Sequence, residues 1–272
     1  MKRSSSLVLS LVLLSSAPLA RAQGTTNNPP PPPAPALKLG TGFDYSSGDY
    51  GFNQNTEVFS VPVNLAYEER SWAIRATLPF LTIKGPATIV AGSATESPAT
   101  GSAGAPGRPV SSSQSGLGDL LVSGTYHVNP VPGELNFDVT GRLKFPTADK
   151  DKGLGTGETD FYAQADLYQS FGAITPFASV GYRFLGSNAT YPLKDGLYAS
   201  AGVSFRTSPT SVIGGALDWR TKIIAGAQDA TDALVFLSTN PNDRWNLLGY
   251  LLVGFNNAAP NYGLGALATY KF

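Results

Sequence analysis

The sequence predicts an all-β chain closed into an antiparallel transmembrane β-barrel of about twelve strands, with ten or fourteen as the alternatives. Three observations predict it. Long segments alternate between apolar and polar residues, the period of two that places them on opposite faces of a strand. The links between segments alternate between tight turns and longer loops, the asymmetry of membrane barrels. The last segment carries Leu264, Ala266, Ala268, Tyr270 and Phe272 at every second position, an apolar face ending in an aromatic.

Residues 1–22 read as a cleaved export signal. Lys2 and Arg3 precede an apolar run from Leu7 to Leu14, and Ala20-Arg21-Ala22 supplies small residues where a signal peptidase cuts. The run is too short to span a bilayer as a helix. Residues 23–36, with Pro29 to Pro33 and Pro35, read as a polyproline II tether on the periplasmic side. The barrel itself is expected over 37–272.

Composition bounds the function. Lys and Arg total 19 against 19 Asp and Glu, and a net charge of zero argues against a nucleic-acid partner. There are no cysteines, which excludes disulfides and thiol metal sites. Only 14% of residues are charged, yet no mature stretch approaches the ~18 apolar residues of a spanning helix. A membrane barrel has this bland average because its two faces cancel in any window.

The strands are expected near 37–46, 56–68, 71–84, 115–128, 134–146, 157–170, 173–186, 192–206, 211–225, 231–239, 243–256 and 260–272. Most are long enough to cross the hydrocarbon core at a tilt, which takes about 9–11 residues, where soluble strands have about 5–6. Tight turns fall at 69–70, 129–133, 170–172, 207–210 and 240–242. Longer links fall at 47–55, 85–114, 147–156, 187–191, 226–230 and 257–259. An even count returns both termini to one side, expected to be the periplasm.

Faces separate cleanly in several strands. Leu135, Phe137, Val139, Leu143 and Phe145 oppose Asn136, Asp138, Thr140, Arg142 and Lys144. A soluble sandwich would also alternate. The apolar faces here are bounded by aromatics (Trp72 and Phe80, Phe137 and Phe145, Trp245 and Phe255), as membrane interfaces require. Arg and Asp at mid-strand suit a hydrated lumen, and twelve strands leave a bore only a few ångströms in radius.

Function is therefore expected on the inward face. The candidates are Asp119, Asp138, Arg142, Lys144, Asp160, Asp166, Arg183, Arg206, Asp218, Arg220 and Lys222, with Asp44, Arg75 and Lys271 on the same pattern. The basic members predict mild anion selectivity. No catalytic residue, metal or cofactor is expected. His127 is the lone histidine, and an enzyme would need a serine close to it on the membrane-facing side. The stretch Asp149 to Asp160 fails as a calcium loop at Gly153 and Leu154, and reads as a flexible hairpin tip. The loop 85–114, rich in Gly, Ala, Ser and Thr, is expected to have no core of its own, and either lies on the surface or folds into the mouth as a constriction.

Two resemblances sharpen these expectations. The terminal strand with Tyr270 and Phe272 resembles the insertion signal of bacterial outer-membrane barrels, which implies the barrel-assembly machinery, periplasmic chaperones and outer-membrane lipid as partners. Ser115-Gly116-Leu117-Gly118-Asp119-Leu120, followed by Leu143-Lys144-Phe145-Pro146-Thr147 and Gly153-Leu154-Gly155-Thr156-Gly157, resembles the meta-pathway phenol-degradation outer-membrane family. That resemblance implies an outer-membrane channel for passive uptake of small solutes, aromatic or hydrophobic compounds among them. It carries no catalytic residues. The alternative is a structural or surface-interaction barrel with a plugged lumen.

Overall fold

The computed structural model describes residues 35–50, 52–90, 102–106, 113–128 and 134–272. The expected export signal and nearly all of the expected proline tether lie outside the described residues. The strands in chain order are β1 Ala36–Gly48, β2 Thr56–Glu68, β3 Trp72–Lys84, β4 Ala87–Val90, β5 Ser102–Pro106, β6 Ser113–Leu117, β7 Leu120–Val128, β8 Asn136–Phe145, β9 Asp160–Tyr168, β10 Ile174–Phe184, β11 Gly196–Arg206, β12 Ser211–Arg220, β13 Ala230–Thr239, β14 Trp245–Gly254 and β15 Tyr262–Lys271.

β6 and β7 pair with opposite ends of β3 and form one wall strand with a break. The wall therefore has twelve strands, each antiparallel to its neighbours. It closes where β1 pairs with both β2 and β15. The amide of Phe272 donates to the Leu37 carbonyl at 3.0 Å, so first and last strands are zipped to their ends. Both lie at the end of the tight turns, as the even count requires. β4 and β5 pair separately within the 85–114 link, which was expected to be irregular.

The break at Gly118 and Asp119 has a local cause. Pro79 of β3 stands there, directly opposite Pro62 of β2, and proline has no N–H to extend the ladder. The freed groups are satisfied individually. Gly118 N–H donates to the Pro79 carbonyl at 2.8 Å, the Thr147 hydroxyl donates to the Gly118 carbonyl at 3.0 Å, and Leu120 N–H donates to Thr147 Oγ1 at 2.8 Å. The strands expected over 157–170, 192–206 and 211–225 are shorter than their pattern. Gly157 takes a φ of 76°, which ends the loop before β9, and the Thr221 hydroxyl turns onto the Leu197 carbonyl just past β12.

The two faces differ sharply. Leu37, Leu39, Phe43, Val63, Leu65, Ile74, Val180, Leu217, Val235, Leu251 and Val253 are exposed on the outside. All six expected girdle aromatics are exposed there too. Ring pairs gather at both rims: Tyr67 with Trp72 and Trp245 with Tyr270 at the tight-turn end, Phe161 with Phe184 and Tyr45 with Tyr262 at the long-loop end. On β15 the rims are eight residues apart, roughly 20 Å of height at a 40° tilt, close to the ~25 Å apolar band of such barrels. An outside this apolar is unstable against water and fits lipid.

Candidate functional site: the barrel interior

The inward face carries the charge. Asp119, Asp138, Arg142, Lys144, Asp160, Asp166, Arg183, Asp218 and Arg220 are all buried inside the wall, as is Asp44, and Arg75, Arg206 and Lys271 face inward and are half-buried. Lys222 is the correction. β12 ends at Arg220, and Lys222 lies in the following loop, exposed, its amide held by Asp229 at 3.0 Å. Three inward charges were missed: Lys38, Glu68 and Asp232. The alternation of Lys38 with exposed Leu37 and Leu39 was a legible signal for the first.

These groups form ion-paired clusters. At the tight-turn end Lys38 binds Glu68, with Arg75 3.9 Å from the same carboxylate. His127 Nδ1 lies 3.0 Å from Asp138, and Tyr168 reaches that carboxylate at 3.5 Å. His127 thus faces inward, away from the lipid side on which a serine partner was required. Near the long-loop end Lys144 sits between Asp160 at 2.8 Å and Asp119 at 3.4 Å. Arg220 binds Asp232, which stands directly across from Asp218, and Tyr250 hydrogen-bonds Asp44. Arg142 lies over the Tyr162 ring, 5.7 Å from its centroid.

The interior is not uniformly polar, which corrects the expectation of a wet lumen without an apolar core. On one side Val212, Leu234, Phe236, Leu248, Tyr250, Leu252 and Leu267 pack together from β12 to β15, with Phe177 against them. Several inward rings lie flat on a glycine directly across the ladder. A Cβ at Gly181 would sit 2.2 Å from the Tyr198 ring, and one at Gly202, Gly214 or Gly265 would sit 2.4 Å from Phe177, Phe236 or Tyr250. Glycine leaves a groove in the wall, and the ring fills it instead of projecting into the bore.

The long-loop end folds inward. The β8–β9 link, expected to be a flexible tip, packs Ala148 and Leu154 against Val58, Leu81 and Ile83 on the inner wall of β2 and β3, leaving Leu154 only 2% exposed. Lys144 donates to Thr156 at 3.0 Å, Ala148 N–H to Asp119 at 3.0 Å, and Asn188 to the Thr156 carbonyl at 3.2 Å, so this loop is tied to the wall charges. Asp149 accepts from the amides of Asp151 and Lys152, which uses its carboxylate as a turn cap. Leu185, Tyr191, Leu193 and Ile223 of two neighbouring loops cover Tyr162 and Tyr198. Tyr50, at a φ of 50°, packs over Gly48 in the β1–β2 loop, and burial pushes its hydroxyl pKa up to about 12.

No protein-family model matches the chain, and no curated protein matches it in sequence. Solved structures do resemble it. An outer membrane channel from Pseudomonas putida F1 is similar at a TM-score of 0.67 and 15% identity, over 92% of this chain and 100% of that one. The KdgM porin in complex with disordered oligogalacturonate is similar at a TM-score of 0.53 and 6% identity, over 86% of this chain and 99% of that one. At such identities the likeness is one of fold, and the fold is that of an outer-membrane β-barrel.

Proposed function

We propose that the protein resides in the bacterial outer membrane and passes small solutes passively, aromatic or hydrophobic compounds among them. One observation carries this reading: a single closed wall has a lipid-compatible outside and an ion-paired inside. A barrel built only to sit in lipid has no need of so many buried charges, each costly to desolvate. The likeness to an outer-membrane channel supports the architecture. The resemblance of the Gly116–Leu120 and Phe145–Gly157 motifs to the meta-pathway phenol-degradation family supports the solute class.

The same reading covers the ends of the chain. Residues 1–22 direct export and are removed, and 23–36 tether the barrel on the periplasmic side. Tyr270 and Phe272, stacked edge-on at 5.1 Å beside Trp245, present the aromatic terminus that the assembly machinery reads after periplasmic chaperones deliver the chain. The reading assigns no catalytic residue and no cofactor.

A second reading, a structural barrel with a plugged lumen, is favoured by the inward-folded β8–β9 loop. Planar-bilayer recordings of the refolded chain 23–272 separate the two. The channel reading expects discrete conductance steps, and solute-driven swelling of liposomes that contain it. Zero conductance from both this chain and one with 149–157 shortened to a tight turn would favour the plug.

A further inference from the structure

Arg183 is the unspent group of this interior. It is 0% exposed. Its Nη2 donates to the Thr221 carbonyl, while Nε and Nη1 meet no hydrogen-bond partner and no carboxylate among the described residues. The neighbouring cations are engaged: Arg220 binds Asp232, and Arg142 lies over Tyr162. A guanidinium held dry without an adjoining carboxylate is costly, and the Thr221 carbonyl satisfies only one of its three nitrogens.

The register shows how it is held. Arg142 stands opposite Tyr162, Tyr162 opposite Arg183, and Tyr198 opposite Arg220. Arg183 itself faces Gly196, diagonal to Tyr198. A Cβ at Gly196 would lie 3.3 Å from Arg183 Nε, so glycine there makes room for the fork. Arginine and tyrosine thus alternate along one belt of the inner wall across β8 to β12. The apolar side chains of Leu185, Tyr191 and Leu193 roof the Tyr162–Tyr198 portion of it.

We propose that Arg183 is the carboxylate-binding subsite for a small aromatic monocarboxylate in the lumen. The argument is one of matched chemistry. Nη2 keeps a second N–H beyond the one given to Thr221, and with one unpartnered neighbouring nitrogen it forms an edge of two parallel donors, the geometry that a carboxylate accepts in bidentate fashion. One open edge supplies one positive charge. The tyrosine rings and the apolar roof suit the flat body of the solute and offer a phosphate's remaining oxygens few donors. The inference rests on the channel reading, since the lumen is the route to Arg183, and it requires the roof formed by the 185–195 and 221–229 loops to lift.

The test is calorimetric titration of the folded chain 23–272 in detergent micelles with benzoate, benzyl alcohol and inorganic phosphate. Benzoate is expected to bind roughly tenfold or more tightly than either of the others. Arg183→Gln is expected to lower benzoate affinity by roughly tenfold or more, and Arg183→Lys, which keeps the charge and loses the fork, to fall between. Heat-dependent gel mobility certifies folding, and Arg183→Lys alone carries the test should Arg183→Gln fail to fold. Equal affinity for benzoate and benzyl alcohol, or benzoate affinity untouched by both variants, overturns the proposal. Conductance recorded on the same samples separates the two ideas. A conducting barrel indifferent to benzoate loses the subsite and keeps the channel. A silent barrel that binds benzoate through Arg183 loses the channel and keeps the subsite.

Discussion

At the scale of single residues, the interior is organised by rings laid on glycines and by charges that share partners. Gly181→Val would drive a side chain into the space of the Tyr198 ring, 2.2 Å from where its Cβ would stand. The expected cost is roughly 1–3 kcal/mol of overpacking, read as a lower urea midpoint in lipid or detergent. The same change at Gly124, where a Cβ meets nothing within 4 Å, should be nearly neutral on this steric count. Lys144→Met removes the partner of two buried carboxylates, Asp119 and Asp160. It should cost about 3–5 kcal/mol by the same measurement, since breaking a buried pair strands the remaining charge. Which residues face inward was legible from alternation, because parity along a strand follows from its geometry alone. The glycine–ring pairs were not. Gly181 and Tyr198 meet only once the register of β10 against β11 is fixed, and nothing local in either strand states that register. Lys222 was misplaced for a related reason: parity continues past the point where Thr221 bends the chain out of the wall.

At the scale of elements, the wall strands were legible and the loops were not. Thirteen-residue strands such as Thr56–Glu68 carry the pattern over their whole length, so their limits fell close to the expected ones. The break between β6 and β7 was hidden because its cause, Pro79, lies on another strand; at the break Gly118 and Asp119 are both buried, and the inward parity shifts by one residue between β6 and β7. The loop 146–159 looked like a flexible tip on composition, and its larger apolar anchor, Leu154, was easily passed over among glycines. Its inward path makes it the element expected to limit flow. Shortening 149–157 to a tight turn should raise single-channel conductance by roughly twofold or more. Removal of 91–110, which the sequence offered as a constriction, tests the other loop in the same recording. A larger change from that deletion would move the gate to the 85–114 link.

At the scale of the whole molecule, the balance of charge revises one expectation. Inside the described wall, Lys38, Arg75, Arg142, Lys144, Arg183, Arg206, Arg220 and Lys271 are matched by Asp44, Glu68, Asp119, Asp138, Asp160, Asp166, Asp218 and Asp232. With Lys222 outside and Lys38, Glu68 and Asp232 added, the earlier excess of basic groups disappears. The potassium-to-chloride permeability ratio should then lie between about 0.5 and 2, measured as a reversal potential in a salt gradient. Local preference for a carboxylate at Arg183 is compatible with this neutrality, because a binding site and a mean field are different quantities.

The amide of Phe272 resting on the carbonyl of Leu37 has a consequence for biosynthesis. The two partners of that seam lie at opposite ends of the barrel's strand order, so the cylinder completes only after every strand between them is in place. Until β15 meets β1, every partial sheet keeps two raw margins able to recruit a stranger. Closure is then a late, long-range event and a slow one. A chain cut short by a single hairpin would keep most of its contacts and still never seal.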